Sequence, residues 1–164
     1  MNKTCSFILN GDIQIKEDFI DNIYDIIENL VNKENVGKFL FYLNNKATNE
    51  CLSIVSKLKN KYSHITRVKV KSLGRDKVLS GDFGDFDELM VIKVKFEFEI
   101  EKILRKMIDE SDYCFFHYDK YVKFYKTGAV IPNINRSLYY YALENNKIVY
   151  NLYKKRFESF SFFE

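Results

Sequence analysis

Short, nearly continuous apolar runs, separated by amphipathic stretches of helical period, constrain this chain more than any other feature. Thr4 to Leu9, Lys38 to Leu43 and Tyr113 to Tyr118 are such runs. Between the first two, Phe19, Ile20, Ile23, Ile26, Ile27, Leu30 and Val31 recur within Ile15 to Lys33. Steps of three and four residues put these side chains on one stripe of a helix. Ala47 to Tyr62 repeats the pattern through Cys51, Leu52, Val55 and Leu58. Thr66 to Val70 then alternates apolar with basic residues and reads as a third strand. Strands apolar on both faces need helices on both faces. The pattern therefore predicts a parallel sheet, wound with right-handed crossovers.

The middle of the chain is less regular. Ser72 to Glu88 holds three of the six glycines and five acids, and reads as a loop. Leu89 to Ile100 alternates apolar with charged residues, as expected of a half-exposed strand at an edge or in a hairpin. Glu101 to Glu110 carries Ile103, Leu104, Met107 and Ile108 on a helical stripe. Lys120 to Asn133 is a long loop with the single proline. Asn135 or Ser137 is placed to cap a helix running to Asn145. Lys147 to Tyr153 reads as the last strand, and residues 154–164 form a tail with four phenylalanines. So apolar a tail is expected to dock on the body or on a second chain.

Composition narrows the function classes. The 164 residues fit one domain, and 46% apolar with 30% charged argues against disorder. A net charge of +3 is too mild to imply a nucleic-acid groove. Arg67, Lys69 and Lys71 alternate along one strand and are expected to form its wet side. No run reaches the ~18 apolar residues of a membrane span, and the first residues lack a signal-peptide core. Cys5, Cys51 and Cys114 are odd in number, without a paired spacing, which predicts buried, reduced thiols in a cytoplasmic protein.

Four blocks, taken in order, resemble one family. They are Lys3-Thr4-Cys5-Ser6-Phe7, Phe39-Leu40-Phe41, Met107-Ile108-Asp109-Glu110-Ser111-Asp112-Tyr113, and Tyr139-Tyr140-Tyr141-Ala142 leading to Lys147-Ile148-Val149. Together they resemble the SLOG superfamily, in its small YpsA-like branch of bacterial proteins. The stretch from Met107 to Asp119 is the most specific piece. The resemblance implies a Rossmann-like fold and a nucleotide or nucleotide-derived ligand. It implies a cleft at the carboxyl ends of the strands near residues 4–9, 38–43, 113–118 and 147–153. The general rule for open α/β sheets places ligands there too. Some distant members of that superfamily are phosphoribohydrolases, and others are sensor domains.

The chain departs from the family at the positions that would contact ligand. Leu9-Asn10-Gly11 stands where the family has Gly-His-Arg. Tyr42-Leu43-Asn44-Asn45 replaces a glycine turn, with Asn49 where an acid would stand. Ile103-Leu104 replaces Arg-Asn, with Arg105 nearby in another register. Asn133-Ile134-Asn135-Arg136 replaces the phosphate-binding Gly-Thr turn. Glycine lets a backbone approach a phosphate, so its loss weakens two anion sites. Tyr42 is bulky enough to fill the cleft.

The candidate site residues follow. Asp109, Asp112 and Asp119 are the candidate catalytic acids, with a turn or helix-end role as the competing and favoured reading of each. Asp119 ends a core strand, where open sheets carry ligands. The ligand-contact candidates are Asn10, Gly11, Asn44, Asn45, Asn49, Asp119, Asn133, Asn135 and Arg136. Helix capping by Asn45 or Thr48 is the competing reading at the second turn. Arg136 with Lys126 or Arg105 could pair with an anion. His117 reads as a packed sheet histidine, and no metal spacing accompanies it or His64. Tyr139, Tyr140 and Tyr141 cannot all face one way on a helix, so one is exposed, to a base or to a symmetry mate.

The expectation is an α/β domain over residues 1–153: a Rossmann-like three-layer sandwich with a mostly parallel sheet and one irregular middle strand. Its Phe-rich tail covers 154–164. The function expected first is binding of a nucleotide-like small molecule by a sensor, carrier or sequestering protein. A ligand-free interaction or oligomerisation module is the alternative, and a nucleotide N-glycosidic hydrolase the second. Enzyme activity is less favoured, because GxSxG, Walker, GxGxxG and HExxH motifs are all missing. No cofactor or metal is called. A homo-oligomer is expected, without membrane or nucleic-acid partners.

Overall fold

A computed structural model describes residues 2–11, 13, 15–74, 84–96, 99–119, 125–126, 129–130 and 134–153. β1 (Lys3–Ile8) shows how the apolar runs are used. Cys5 and Phe7 join one hydrophobic cluster, and Ile8 joins the other, on the opposite face. A strand alternates its side chains, so an apolar run serves two cores at once. β2 (Val36–Phe41) does the same, with Phe39 and Phe41 on the first face and Leu40 on the second.

The helices cover those faces in pairs. α1 (Glu17–Lys33) buries Ile23, Ile27, Leu30 and Val31, and α2 (Lys46–Lys61) buries Ala47, Cys51, Ile54, Val55 and Leu58, all in the first cluster. α3 (Ile100–Asp109) and α4 (Ile134–Glu144) close the second cluster through Ile103, Leu104, Met107, Ile108, Leu138 and Ala142. Phe7 lies at the middle of the first core, stacked at 4.8 Å from Phe41 and 5.1 Å from Phe115. Such ring pairs add roughly 0.5–1.5 kcal/mol each beyond their buried area. The three-layer α/β sandwich expected from the sequence is therefore the fold.

The sheet is entirely parallel. β3 (Thr66–Leu73), β4 (Glu88–Lys93), β5 (Tyr113–Phe116) and β8 (Ile148–Asn151) complete it in the order β4-β3-β2-β1-β5-β8. A separate two-stranded antiparallel ribbon, β6 (Tyr125–Lys126) with β7 (Ala129–Val130), lies between β5 and α4 in sequence. The chain winds outward from β1 to β4, then returns through α3 to β5 on the other side of β1. The order reverses between β1 and β5, which is the switch point where open sheets form a crevice.

Several local expectations change. The irregular middle strand is neither a hairpin nor twelve residues long. β4 ends at Lys93 and pairs parallel with β3 at the sheet edge. Just beyond it the Val94 N–H still donates to the Leu73 carbonyl, and the Glu99 carboxylate accepts from the Lys95 backbone N–H at 3.1 Å. Neither Asn135 nor Ser137 precedes α4, since both lie within its first turn. Arg67 and Lys69 are not a bare wet face. Arg67 donates to Asp87 and to Ser56 of α2, and the Lys69 ammonium sits 5.5 Å over the Phe86 ring. The tail, Asn133 and the Lys126 side chain lie outside the described residues. No helix among the described residues is long and apolar enough to cross a membrane.

Candidate functional site

In a β–α sequence of this kind, each helix begins at the carboxyl edge of the sheet and ends at its amino edge. The exit of β1 is the centre of the carboxyl edge. Gly11 has φ +114° there, a conformation that favours glycine. Two helix N-termini from opposite faces are tied to this exit. The Asn45 side-chain amide donates to the Leu9 carbonyl at 2.6 Å, while its oxygen accepts from the Thr48 backbone N–H and caps α2. The Asn135 amide donates to the next carbonyl, that of Asn10, at 3.1 Å. The two asparagines thus clamp α2 and α4 to consecutive residues just after β1. Asn44 and Asn49 pair with each other at 3.2 Å beside them. With Asn45, Lys46, Glu50 and Ser53 they line a hollow of about 630 Å³.

The charges at these two helix starts run against the usual pattern. A helix N-terminus carries a partial positive charge and favours acids. α1 opens on Glu17, and α3 has Glu101 in its first turn. α2 and α4 have no acid there, and instead carry Lys46 and Arg136. Both basic side chains are exposed, and among the described residues neither has an ion-pair partner. Lys46 was not singled out from the sequence. Its signal was a basic residue directly after a capping asparagine, with no acid in the following turn.

An aromatic shelf adjoins α4. Tyr118, at the end of β5, lies 5.1 Å from Tyr139 and 6.3 Å from Tyr140 between ring centroids. The Arg136 guanidinium lies 5.5 Å from the Tyr140 ring centre. Tyr139 is 3% exposed and Tyr140 38%, so the shelf leads from the core to the surface. Burial, then the neighbouring Tyr140, push the Tyr118 hydroxyl above its ordinary pKa, against the pull of Arg136. His117 precedes it, half-buried and edge-on to Tyr153, with its pKa lowered by burial. Asp119 follows, half-buried, at the same edge.

The other two acids lie at the opposite edge. Asp112 precedes β5; its carboxylate accepts from the Thr4 backbone N–H at 2.9 Å, and its own N–H donates to the Thr4 carbonyl at 2.8 Å. Its carbonyl accepts from the Ile148 N–H, so this residue fastens the starts of β1, β5 and β8. Asp109, at the end of α3, accepts from the Tyr141 hydroxyl at 2.6 Å. Arg105 belongs with that group. It stacks on Tyr141 at 4.7 Å and donates to Glu101 and Ser137, apart from the Arg136 shelf. Asn10, Gly11, Asn44, Asn45, Asn49, Asp119, Asn135 and Arg136 therefore share the carboxyl edge, and Asp109 and Asp112 do not.

Tyr42 and Leu43, at the end of β2, are half-buried against the second core. Among the described residues, no group of three or more His, Cys, Asp or Glu is placed to hold a metal ion. No protein-family model matches the sequence, and a search of curated proteins finds no match.

Proposed function

We propose that the protein binds a nucleotide or a nucleotide-derived small molecule at the carboxyl edge of its sheet, as a sensor, carrier or sequestering protein. One observation carries this reading: two helix N-termini, each with an exposed basic residue and no acid in its first turn, are clamped to the exit of β1 at the switch point. A cation in the first turn opposes the helix dipole, and an anion held between Lys46 and Arg136 would relieve both unfavourable placements. Tyr140, with Arg136 on its ring, supplies an aromatic surface at the same edge for a planar base. The resemblance to the SLOG superfamily supports the same ligand class. The three buried free thiols fit a reducing, cytoplasmic setting.

A ligand-free interaction module is the second reading, favoured by Tyr42 and Leu43, which fill space where a glycine turn would leave a cleft. A thermal-shift screen against nucleoside monophosphates, cyclic nucleotides and ADP-ribose-type nucleotides separates the two. A ligand at a hundredfold excess over its Kd adds about 2.7 kcal/mol to the native state. A shift that Arg136→Ala abolishes supports the first reading. No shift with any of these compounds overturns it in favour of the second.

A further inference from the structure

β4 is an edge that nothing in its own sequence blunts. Among the described residues it pairs with β3 alone, through six residues in unbroken register. It contains no proline, and Leu89, Met90 and Val91 at its middle stay half-exposed. The opposite edge strand, β8, is only four residues long, and its central Val149 and Tyr150 are buried. Natural sheets protect edges with bulges, prolines, central charges or short strands, because an open apolar edge templates further pairing. β4 has its charges only at the ends: Asp87 and Glu88 before its middle, Lys93 after it. Beside it, between β4 and α3, runs a groove of about 930 Å³ lined by four basic and four acidic side chains.

We propose that β4 pairs antiparallel with β4 of a second copy of this chain, about a two-fold axis normal to the sheet near Met90 and Val91. Such an axis leaves each face of the sheet on its own side. The apolar middle of one strand then meets the apolar middle of the other, and the acidic start of each strand, where Glu88 already pairs with Lys38 and Asp87 with Arg67 and Lys59, comes beside the basic Lys93 of its mate. A parallel mate would set like charge against like. The groove is also balanced in sign, which matches a copy of itself better than a strongly acidic or basic partner. This edge is distinct from the Tyr140 face of α4.

Sedimentation of the full chain at about 1 and about 100 µM, spanning modest interface affinities, is the first test. The wild type is expected to dimerise over that range. Val91→Lys and Leu89→Lys, which bring like charges together across the axis, are expected to weaken the dimer about tenfold or more while keeping the wild-type circular dichroism. Met90→Cys and Val91→Cys provide a test that does not depend on those variants folding normally. Cys5, Cys51 and Cys114 are buried, so mild oxidation should cross-link only the new thiols. Covalent dimers from the β4 cysteines, and none from Tyr140→Cys, support the pairing. A monomer at the higher concentration, a dimer indifferent to the edge charges, or cross-linking through Tyr140→Cys instead overturns it.

Discussion

Lys46→Glu separates a residue kept for a ligand from one kept for the fold. Lys46 is the exposed first residue of α2, directly after the Asn45 cap, with no acid in the first turn. Removing a cation from a helix N-terminus recovers about 0.3–1 kcal/mol, and installing an acid adds a similar amount. Glu50 stands four residues on, and the new like-charge pair subtracts about 0.2–0.5 kcal/mol. The net expectation is a free protein more stable by about 0.5–1.5 kcal/mol, or a Tm higher by about 1–6 °C for a chain of this size. The gain should shrink in high salt, since an exposed charge is screened. Lys46→Gln should give about half of it. The same substitutions should weaken a phosphate-bearing ligand found in the thermal-shift screen. The assay is a pair of melting curves per variant, free and with ligand. A variant that lowers the free Tm refutes the electrostatic argument. One that raises it yet leaves the ligand shift unchanged removes Lys46 from the site.

Asn45→Ala removes both a helix cap and the clamp on the Leu9 carbonyl. Urea unfolding should show a loss of about 2 kcal/mol, a cap and a hydrogen bond contributing about 1 each. Asn44→Ala, whose side chain is exposed and accepts from the exposed Asn49, should stay within about 0.5 kcal/mol of wild type. The Arg67 guanidinium holds the Asp87 carboxyl well below the usual carboxylate range. A pKa depressed by folding stabilises the native state above the unfolded value, about 3.9, and that contribution is lost as pH falls below it. Asp87→Asn should therefore flatten the acid limb of stability against pH, and an unchanged limb would remove Asp87 as its source. Burial pushes the Cys114 thiol up to about 12, and Cys5 and Cys51 are raised for the same reason. None of the three should react with a thiol reagent until the protein unfolds; fast labelling of the native protein would contradict this packing.

The strands and helices were legible because their periods differ. KFLFYL has no helical stripe, and Ile15 to Lys33 has no alternation, so each segment had one reading. Strand neighbours were less legible. The alternation in Leu89 to Ile100 reports half-exposure, which an edge strand and a hairpin share, and the pairing with β3, which runs to Lys93, shows which of them it is. The asparagines illustrate a second limit. Asn45 and Asn135 are placed as a ligand reader would be, yet each spends its amide on a carbonyl just after β1, and an amide offers the same donors to a backbone as to a phosphate. The clamps set the distance between the two helix starts, while the charges that face outward are Lys46 and Arg136.

The placement of the acids bears on whether a bound nucleotide would be cleaved. Asp109 and Asp112 flank one serine in the sequence, which invites reading them as a pair. Asp109 ends a helix and Asp112 precedes a strand, so both belong to the amino edge of a parallel β–α sheet. Asp119 follows the same strand and belongs to the carboxyl edge. Even the four residues of β5, at about 3.3 Å each, keep it out of hydrogen-bond range of the other two. Asp109 and Asp112 are moreover occupied, one by the Tyr141 hydroxyl and the other by the backbone of β1. Of the three candidate acids, Asp119 alone stands at the carboxyl edge, without either of the other two as its partner. Binding asks less of that edge: two basic side chains at clamped helix starts and an aromatic surface beside them. Under the proposed reading the edge is asked only to hold a nucleotide, and a hydrolase built there would need a partner for Asp119 other than Asp109 and Asp112.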